Sequence, residues 1–345
     1  MRNILLGYQT GVNLGGWISQ FRYASKQHFD TFITEKDIEQ IASWEMDHVR
    51  LPIDYIVIEE ENQPFVYKEE GFAYIDQCIG WCEKYSLNII LDLHRTPGYA
   101  FHSLNESRLF DDELLQKRFL SIWRTFAKRY RSYGRTVVFE LLNEIVEPNS
   151  DRWNNLSKKA VEAIREIDPD RIIMIGGNNY NSVKTLKELD RIEDDNVVYT
   201  FHFYEPHIFT HQKASWEPVM NDLDYIVAYP SGNEEHQKYL SKSAYFREKL
   251  ESEEKMGKEF IRNYLRPALD FIKERNVPLY CGEYGVIDSA PKASNLRWHE
   301  DVCDLLIEYG IGRAVWTYKL MSFPMVNHDS EIIDECLIKI ISKKR

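Results

Sequence analysis

Short apolar runs that end on polar or turn residues alternate along this chain with longer stretches of helical period. The runs are TGVNLG (10–15), DHVRLP (47–52), LNIILDLH (87–94), TVVFELLNE (136–144), RIIMIGG (171–177), NVVYTFHFY (196–204), VPLYCGEYG (277–285) and IGRAVWTY (311–318). Their apolar character is continuous rather than alternating, as in strands buried on both faces. Between the first two runs, Thr34 and Asp37 form a T-x-x-D capping pattern, and Ile38, Ile41 and Ala42 follow at helical spacing. The same spacing recurs at Phe72, Ile75, Ile79 and Cys82, at Leu115, Phe119, Ile122, Phe126 and Tyr130, and at Leu156, Ala160, Ala163, Ile164 and Ile167. Weaker helical patterns cover 183–190, 252–275, 293–309 and 330–343.

Strands that alternate with helices pair in parallel, because each helix is the crossover a parallel pair needs. Eight such units predict an α/β fold, the (β/α)₈ TIM barrel, with the whole chain, 1–345, as one catalytic domain. A doubly wound sheet shares the alternation, but no Gly-rich phosphate fingerprint follows the first strand. One interval breaks the rhythm. From Tyr204 to Pro278 the chain is far longer than one loop and one helix. This predicts a small inserted subdomain at about 205–250, between strand six and helix six, on the face where barrel sites form.

Composition narrows the class of partner. The net charge of -12 argues against nucleic acid and anionic membrane, which call for a basic face. Aromatic residues are 13% of the chain, with 8 Trp and 21 Tyr, so stacking platforms for flat ligand faces are available beyond the needs of the core. The five cysteines are odd in number and share no repeated spacing, which suggests neither a disulfide framework nor a zinc cage. Cys78 and Cys82 are expected to face the core. The start, MRNILLGYQTG, lacks the apolar core of a signal peptide, and no run is long enough to span a membrane. Localisation stays open between cytoplasm and export by a route or segment not visible here, and oligomeric state is not legible.

The chemistry gathers at the strand ends. Arg50 lies in strand two, His94 ends strand three, and Asn143 and Glu144 end strand four. His202 and Tyr204 end strand six, Glu283 ends strand seven and Trp316 ends strand eight. A barrel brings these ends to one mouth. Each residue alone has an ordinary structural explanation, but eight polar or aromatic side chains on one face are too costly to bury as packing. Glu144 and Glu283 suit hydrolysis of a glycosidic bond with retention, which needs two carboxyl groups about 5–5.5 Å apart with divergent pKa values. Glu144 is the expected acid/base, kept protonated by burial. Glu283 is the expected nucleophile, held ionised by Arg50 and the Tyr204 hydroxyl. Asn143 is placed to bond a sugar 2-OH, His94 and His202 to fix hydroxyls or the acid/base, and Trp316 to lie under the sugar. Asn13, Trp17, Arg95, Tyr99 and Trp216 are further substrate-binding candidates. Neither a cofactor nor a metal is expected. His207 and His211 have H-x₃-H spacing, but no carboxylate flanks them in a zinc-like pattern, and they read as surface loop.

At FELLNE, TFHFYEP, YCGEYG and AVWTY the sequence resembles glycoside hydrolase family 5, of the clan that carries its acid/base and nucleophile on strands four and seven. NLGGWISQ, HFDTFITEKDIE, IGGNNYN and FTHQKASW resemble more closely the cellulases of the endoglucanase C type, single-domain enzymes with an insertion after strand six. The resemblance implies an endo-acting β-1,4-glucanase, extending to mixed-linkage β-1,3-1,4-glucan. All eight active-site positions of the family are filled. Arg95 departs from the commoner pattern, in which His or Asn follows the strand-three His, and this leaves the nearest subsite open. The rivals on the same frame are a β-1,3-glucanase, a mannanase and a xylanase. A non-catalytic carbohydrate-binding barrel would require loss of Glu144 or Glu283.

Overall fold

Eight parallel strands close on themselves in the computed structural model, which describes residues 5–222, 225–232 and 255–344. The strands are β1 (Thr10–Asn13), β2 (His48–Asp54), β3 (Asn88–Arg95), β4 (Val137–Glu140), β5 (Ile173–Gly176), β6 (Val197–Phe203), β7 (Leu279–Tyr284) and β8 (Gly312–Val315). They follow sequence order around the barrel, and β1 closes the ring against β8. This is the (β/α)₈ TIM barrel.

The outer helices start where the sequence signals them. Helix Glu35–Ser43 opens with the Thr34/Asp37 capping box, in which the Asp37 carboxylate accepts the Thr34 N–H at 2.7 Å. Ile38 and Ile41 are fully buried beneath it, each worth about 1.5–3 kcal/mol of apolar burial. Asp112 caps helix Glu113–Tyr130 by accepting from the backbone of Leu114 and Leu115. Helices Glu69–Lys84, Asp151–Arg165 and Lys292–Tyr309 lie at their expected places, and Cys78 and Cys82 face the core. Two stretches differ from expectation. Residues 183–190 tighten into a 3₁₀ helix, Val183–Glu188. The 252–275 pattern yields two helices, Lys258–Tyr264 and Arg266–Arg275, with Pro267 in the first turn of the second, where its missing N–H costs nothing. Among the described residues no helix is long and apolar enough to cross a membrane. The expected insertion at 205–250 is described only in part, with short helices His207–Thr210 and Pro218–Asn221; residues 223–224 and 233–250 lie outside the described residues.

The two-residue period of a strand sorts the barrel interior into layers. Tyr8, Ile90, Val138, Ile172, Met174, Val198, Tyr280 and Ala314 belong to an apolar cluster separate from the large core between strands and helices. Two residues further along the strands the cluster gives way to charge, at Asp92 after Ile90 and Glu140 after Val138.

The register slips at two functional points. Between β2 and β3, Ile53 pairs with Leu93 but Asp54 pairs with Arg95, leaving His94 as the extra residue. Between β6 and β7, Phe201 pairs with Cys281 but His202 pairs with Glu283, leaving Gly282 as the extra residue. Tyr280 points into the barrel and Cys281 toward the helices. Strict alternation would therefore send Glu283 outward. The bulge at Gly282 returns it to the interior beside His202, and bulges re-aim side chains in this way. The position suits glycine because a Cβ there would stand 3.0 Å from Thr200 Oγ1 and 3.2 Å from His202 Nε2.

Candidate active site

Arg50 is fully buried and collects the strand ends around itself. Its Nε and Nη2 donate to Glu140 at 2.7 and 3.1 Å, Nη1 donates to Glu283 at 2.7 Å and Asn13 at 2.9 Å, and Nη2 also donates to Asn143 at 3.0 Å. Asp92 lies 3.0 Å from Nη2. Burial disfavours the cation, but Asp92, Glu140 and Glu283 outweigh it and hold Arg50 charged well beyond its ordinary range. A close pair is worth about 4 kcal/mol at the effective dielectric of protein sites. One cation cannot keep four acids ionised. Burial accordingly pushes Asp92 up to about 7, raises Glu140, and pushes Glu144 up to about 7, with Arg50 opposing in each case.

Glu283 accepts from Arg50 Nη1 at 2.7 Å and from the Tyr204 hydroxyl, which donates at 2.9 Å. Glu144 differs. It has no contact with Arg50 among its hydrogen bonds, and its side chain is 13% exposed where Glu140 is sealed off at 0%. Only Glu144 of these two can meet a substrate. Its backbone has φ 46°, in the left-handed region that non-glycine residues avoid. Tyr99 holds that conformation: its hydroxyl donates to the Glu144 carbonyl at 2.8 Å and accepts the Val146 N–H at 2.7 Å. His202 Nδ1 lies 2.9 Å from Glu144 Oε1 and 3.5 Å from Glu283 Oε2. One oxygen of each glutamate and a ring nitrogen of His202 lie within 4.8 Å of one another.

Two buried polar atoms of these strand-end residues lack a hydrogen-bond partner among the described residues, Asn143 Nδ2 and His94 Nε2. The other ring nitrogen of His94 bonds Asp92 at 2.6 Å, and its ring stacks on Trp316 at 5.7 Å and 9°. Burial lowers His94 to about 3, so the ring is neutral and Nε2 is its unengaged nitrogen. All eight strand-end residues expected to converge do so.

The outer candidates fare differently. Asn13 is fully buried; its Nδ2 donates to the carbonyls of Gly282, Ala314 and Val315, and its Oδ1 is taken by Arg50. Trp17 is fully buried, stacked on Trp81 with its N–H on the Phe29 carbonyl. Tyr99 is spent on the Glu144 backbone. All three spend their polar groups on the protein itself, so all are corrected to supports of the site. Arg95 is tied to Asp54 at 3.6 Å and His102 at 2.7 Å but stays partly exposed, and Trp216 is 52% exposed beside Phe323 and His211. Folding also supplies the carboxylate that H-x₃-H lacked: Glu217 bonds His207 at 2.9 Å, close to His211. The two imidazoles stack nearly parallel, 4.1 Å apart and 16° in tilt, so their in-plane lone pairs run side by side rather than converging. Sequence reasoning missed Asp92, Glu140 and Asn181, the last of which bonds His202.

A parallel barrel with two acids across its C-terminal mouth, one ion-paired and one pushed toward neutrality, has the build of a barrel glycoside hydrolase. The chain belongs to glycosyl hydrolase family 5: the family described as cellulase matches residues 8–322. It is 48% identical to Endoglucanase C of Acetivibrio thermocellus over 99% of this chain and 100% of that one. It is 35% identical to Cellodextrinase A of Ruminococcus flavefaciens over 98% and 94%. The crystal structure of endoglucanase Cel5A from Thermotoga maritima superposes with a TM-score of 0.78 at 22% identity, covering 97% of each chain, a likeness of fold. The protein is therefore a glycoside hydrolase.

Proposed function

We propose that this enzyme is a retaining, endo-acting β-glucanase that cleaves β-1,4-glucosidic bonds of cellulose-type or mixed-linkage β-1,3-1,4-glucans by double displacement. The observation that carries the mechanism is the approach of the Glu144 and Glu283 oxygens to within 4.8 Å. An inverting pair stands about 6.5–9.5 Å apart to admit a water. Glu283, ion-paired to Arg50, attacks the anomeric carbon. Glu144, protonated up to about pH 7, gives its proton to the leaving oxygen and then takes one from the incoming water. Asn143 Nδ2 donates to a sugar hydroxyl and His94 Nε2 accepts from another. The linkage assignment rests on the names of the relatives, an endoglucanase and a cellodextrinase. We propose further that the chain works as a single catalytic domain, with the segment after β6 forming part of the cleft wall.

The test is product analysis on cello-oligosaccharides, barley β-glucan, laminarin, mannan and xylan, with anomeric configuration followed by NMR. The expected outcome is β-configured first product from β-1,4-linked glucans. First-formed α product would remove the double displacement, and preference for laminarin, mannan or xylan would move the enzyme to a rival specificity on the same frame. A 2-fluoroglycoside should label Glu283.

A further inference from the structure

Asn179, Tyr180 and Asn181 follow one another in left-handed backbone conformations, with φ of 49°, 59° and 54°. Three such residues in succession are costly, and Asn is among the few side chains that tolerate the region. The turn drives the Asn181 carboxamide inward, where it is fully buried. Gly176, the last residue of β5, makes room for it: a Cβ there would stand 2.4 Å from the carboxamide. Asn181 Nδ2 lies 3.2 Å from His202 Nε2, and the opposite ring nitrogen, Nδ1, lies 2.9 Å from Glu144 Oε1.

We propose that Asn181 is a positioning residue that fixes the tautomer of His202 and thereby decides which oxygen of Glu144 carries the acid proton. The proposal rests on Glu144 being the acid/base. Burial lowers His202 to about 4, so the ring is neutral at working pH, with one N–H and one lone pair. A carboxamide nitrogen only donates. Facing it, Nε2 must be the lone pair, and the ring proton sits on Nδ1. Nδ1–H then donates to Glu144 Oε1, which becomes the carbonyl oxygen of the protonated acid. The acid proton is left on Oε2. In the glycosylation step the Glu283 oxygen bonds the anomeric carbon, the glycosidic C–O bond breaks toward oxygen, and that oxygen takes the Oε2 proton. With the opposite tautomer, bare Nδ1 would accept the Glu144 O–H and hold the proton away from the leaving group. Asn181 therefore acts on chemistry through His202 without touching substrate.

The leaving group supplies the test, since a good one departs without an acid. Asn181→Gly keeps the left-handed backbone and removes the carboxamide. Asn181→Asp keeps its shape and removes the N–H. Both should lower kcat/KM for cellotetraose by about 10- to 100-fold, within the span of general acid catalysis, while 2,4-dinitrophenyl β-cellobioside stays within about 3-fold. Glu144→Gln is the control and should show the same split. Equal losses on both substrates, or no loss on either, in the Asn181 variants would overturn the proposal while the Glu144 split stands. Absence of the split in Glu144→Gln would instead remove the acid/base assignment. Side-chain ¹⁵N NMR of His202 gives an independent readout: the proton should sit on Nδ1 in the parent. A proton on Nε2 would mean the carboxamide presents its oxygen, and would overturn the assignment.

Discussion

Glu144 combines a disfavoured backbone with a carboxyl group that burial keeps from ionising, and both features oppose folding. Its folded pKa, about 7, lies above the unfolded value, so the ionised form weakens the native state once pH rises through that interval. Glu144→Gln removes that opposition. The variant should lose about 10²–10⁴-fold in kcat on glucan. Its melting temperature should exceed the parent's by a margin that widens from pH 5 to pH 8. Near-normal turnover would reassign the acid, and a margin constant with pH would mean Glu144 is not the titrating group. At this scale the strand-end residues were legible because eight polar or aromatic side chains converging on one face are too costly to explain as packing, although each alone is not. Asp92 and Glu140 were not, because they sit within the apolar runs LNIILDLH and VVFELL. The two-residue period places Ile90, Asp92 and His94 on the inner face with Val138 and Glu140, and that signal would have found them. Asn13 and Trp17 were misassigned because a polar or aromatic residue near a strand end serves equally well as a brace.

At the scale of elements, the segment after β6 gathers aromatic residues at the mouth. Trp216 contacts Phe323 and His211, and both of those pack on Tyr204, the hydroxyl donor to Glu283. Phe209 and Tyr229, in the same segment, are buried and serve the core. Stacking by exposed Trp216 on a sugar away from the cleaved bond would favour ground and transition states alike and act on KM. Trp216→Ala should raise KM for long oligosaccharides and spare a short aryl glycoside. An unchanged ratio of the two KM values, with a lowered melting temperature, would reduce Trp216 to a structural cover. The strands and long helices were readable from period alone. The bulges were not, since an extra residue leaves no compositional trace beyond one glycine.

Across the whole molecule, Arg50 joins β2 to β1, β3, β4 and β7 through Asn13, Asp92, Glu140 and Glu283, so one side chain braces five of the eight strands. Arg50→Met would leave several buried carboxyl groups without their cation, a change that costs about 3–5 kcal/mol for a broken buried pair. Thermal unfolding should show the larger loss at pH 8 and a smaller one at pH 5, where those groups can take up protons; equal losses would place the cost in packing. The barrel class was legible because eight apolar runs with helical crossovers admit few other closures. The slip at Gly282 bears on how this site can be altered by insertion and deletion. A strand has, in effect, a reading frame of two. Deleting Gly282 would restore a regular ladder with its apolar layer intact, yet would shift the frame so that Glu283 faced the helices. Such a protein would keep its barrel and lose the Glu283 carboxylate from the mouth, and a graft of this site onto an evenly paired barrel must carry the surplus residue with it.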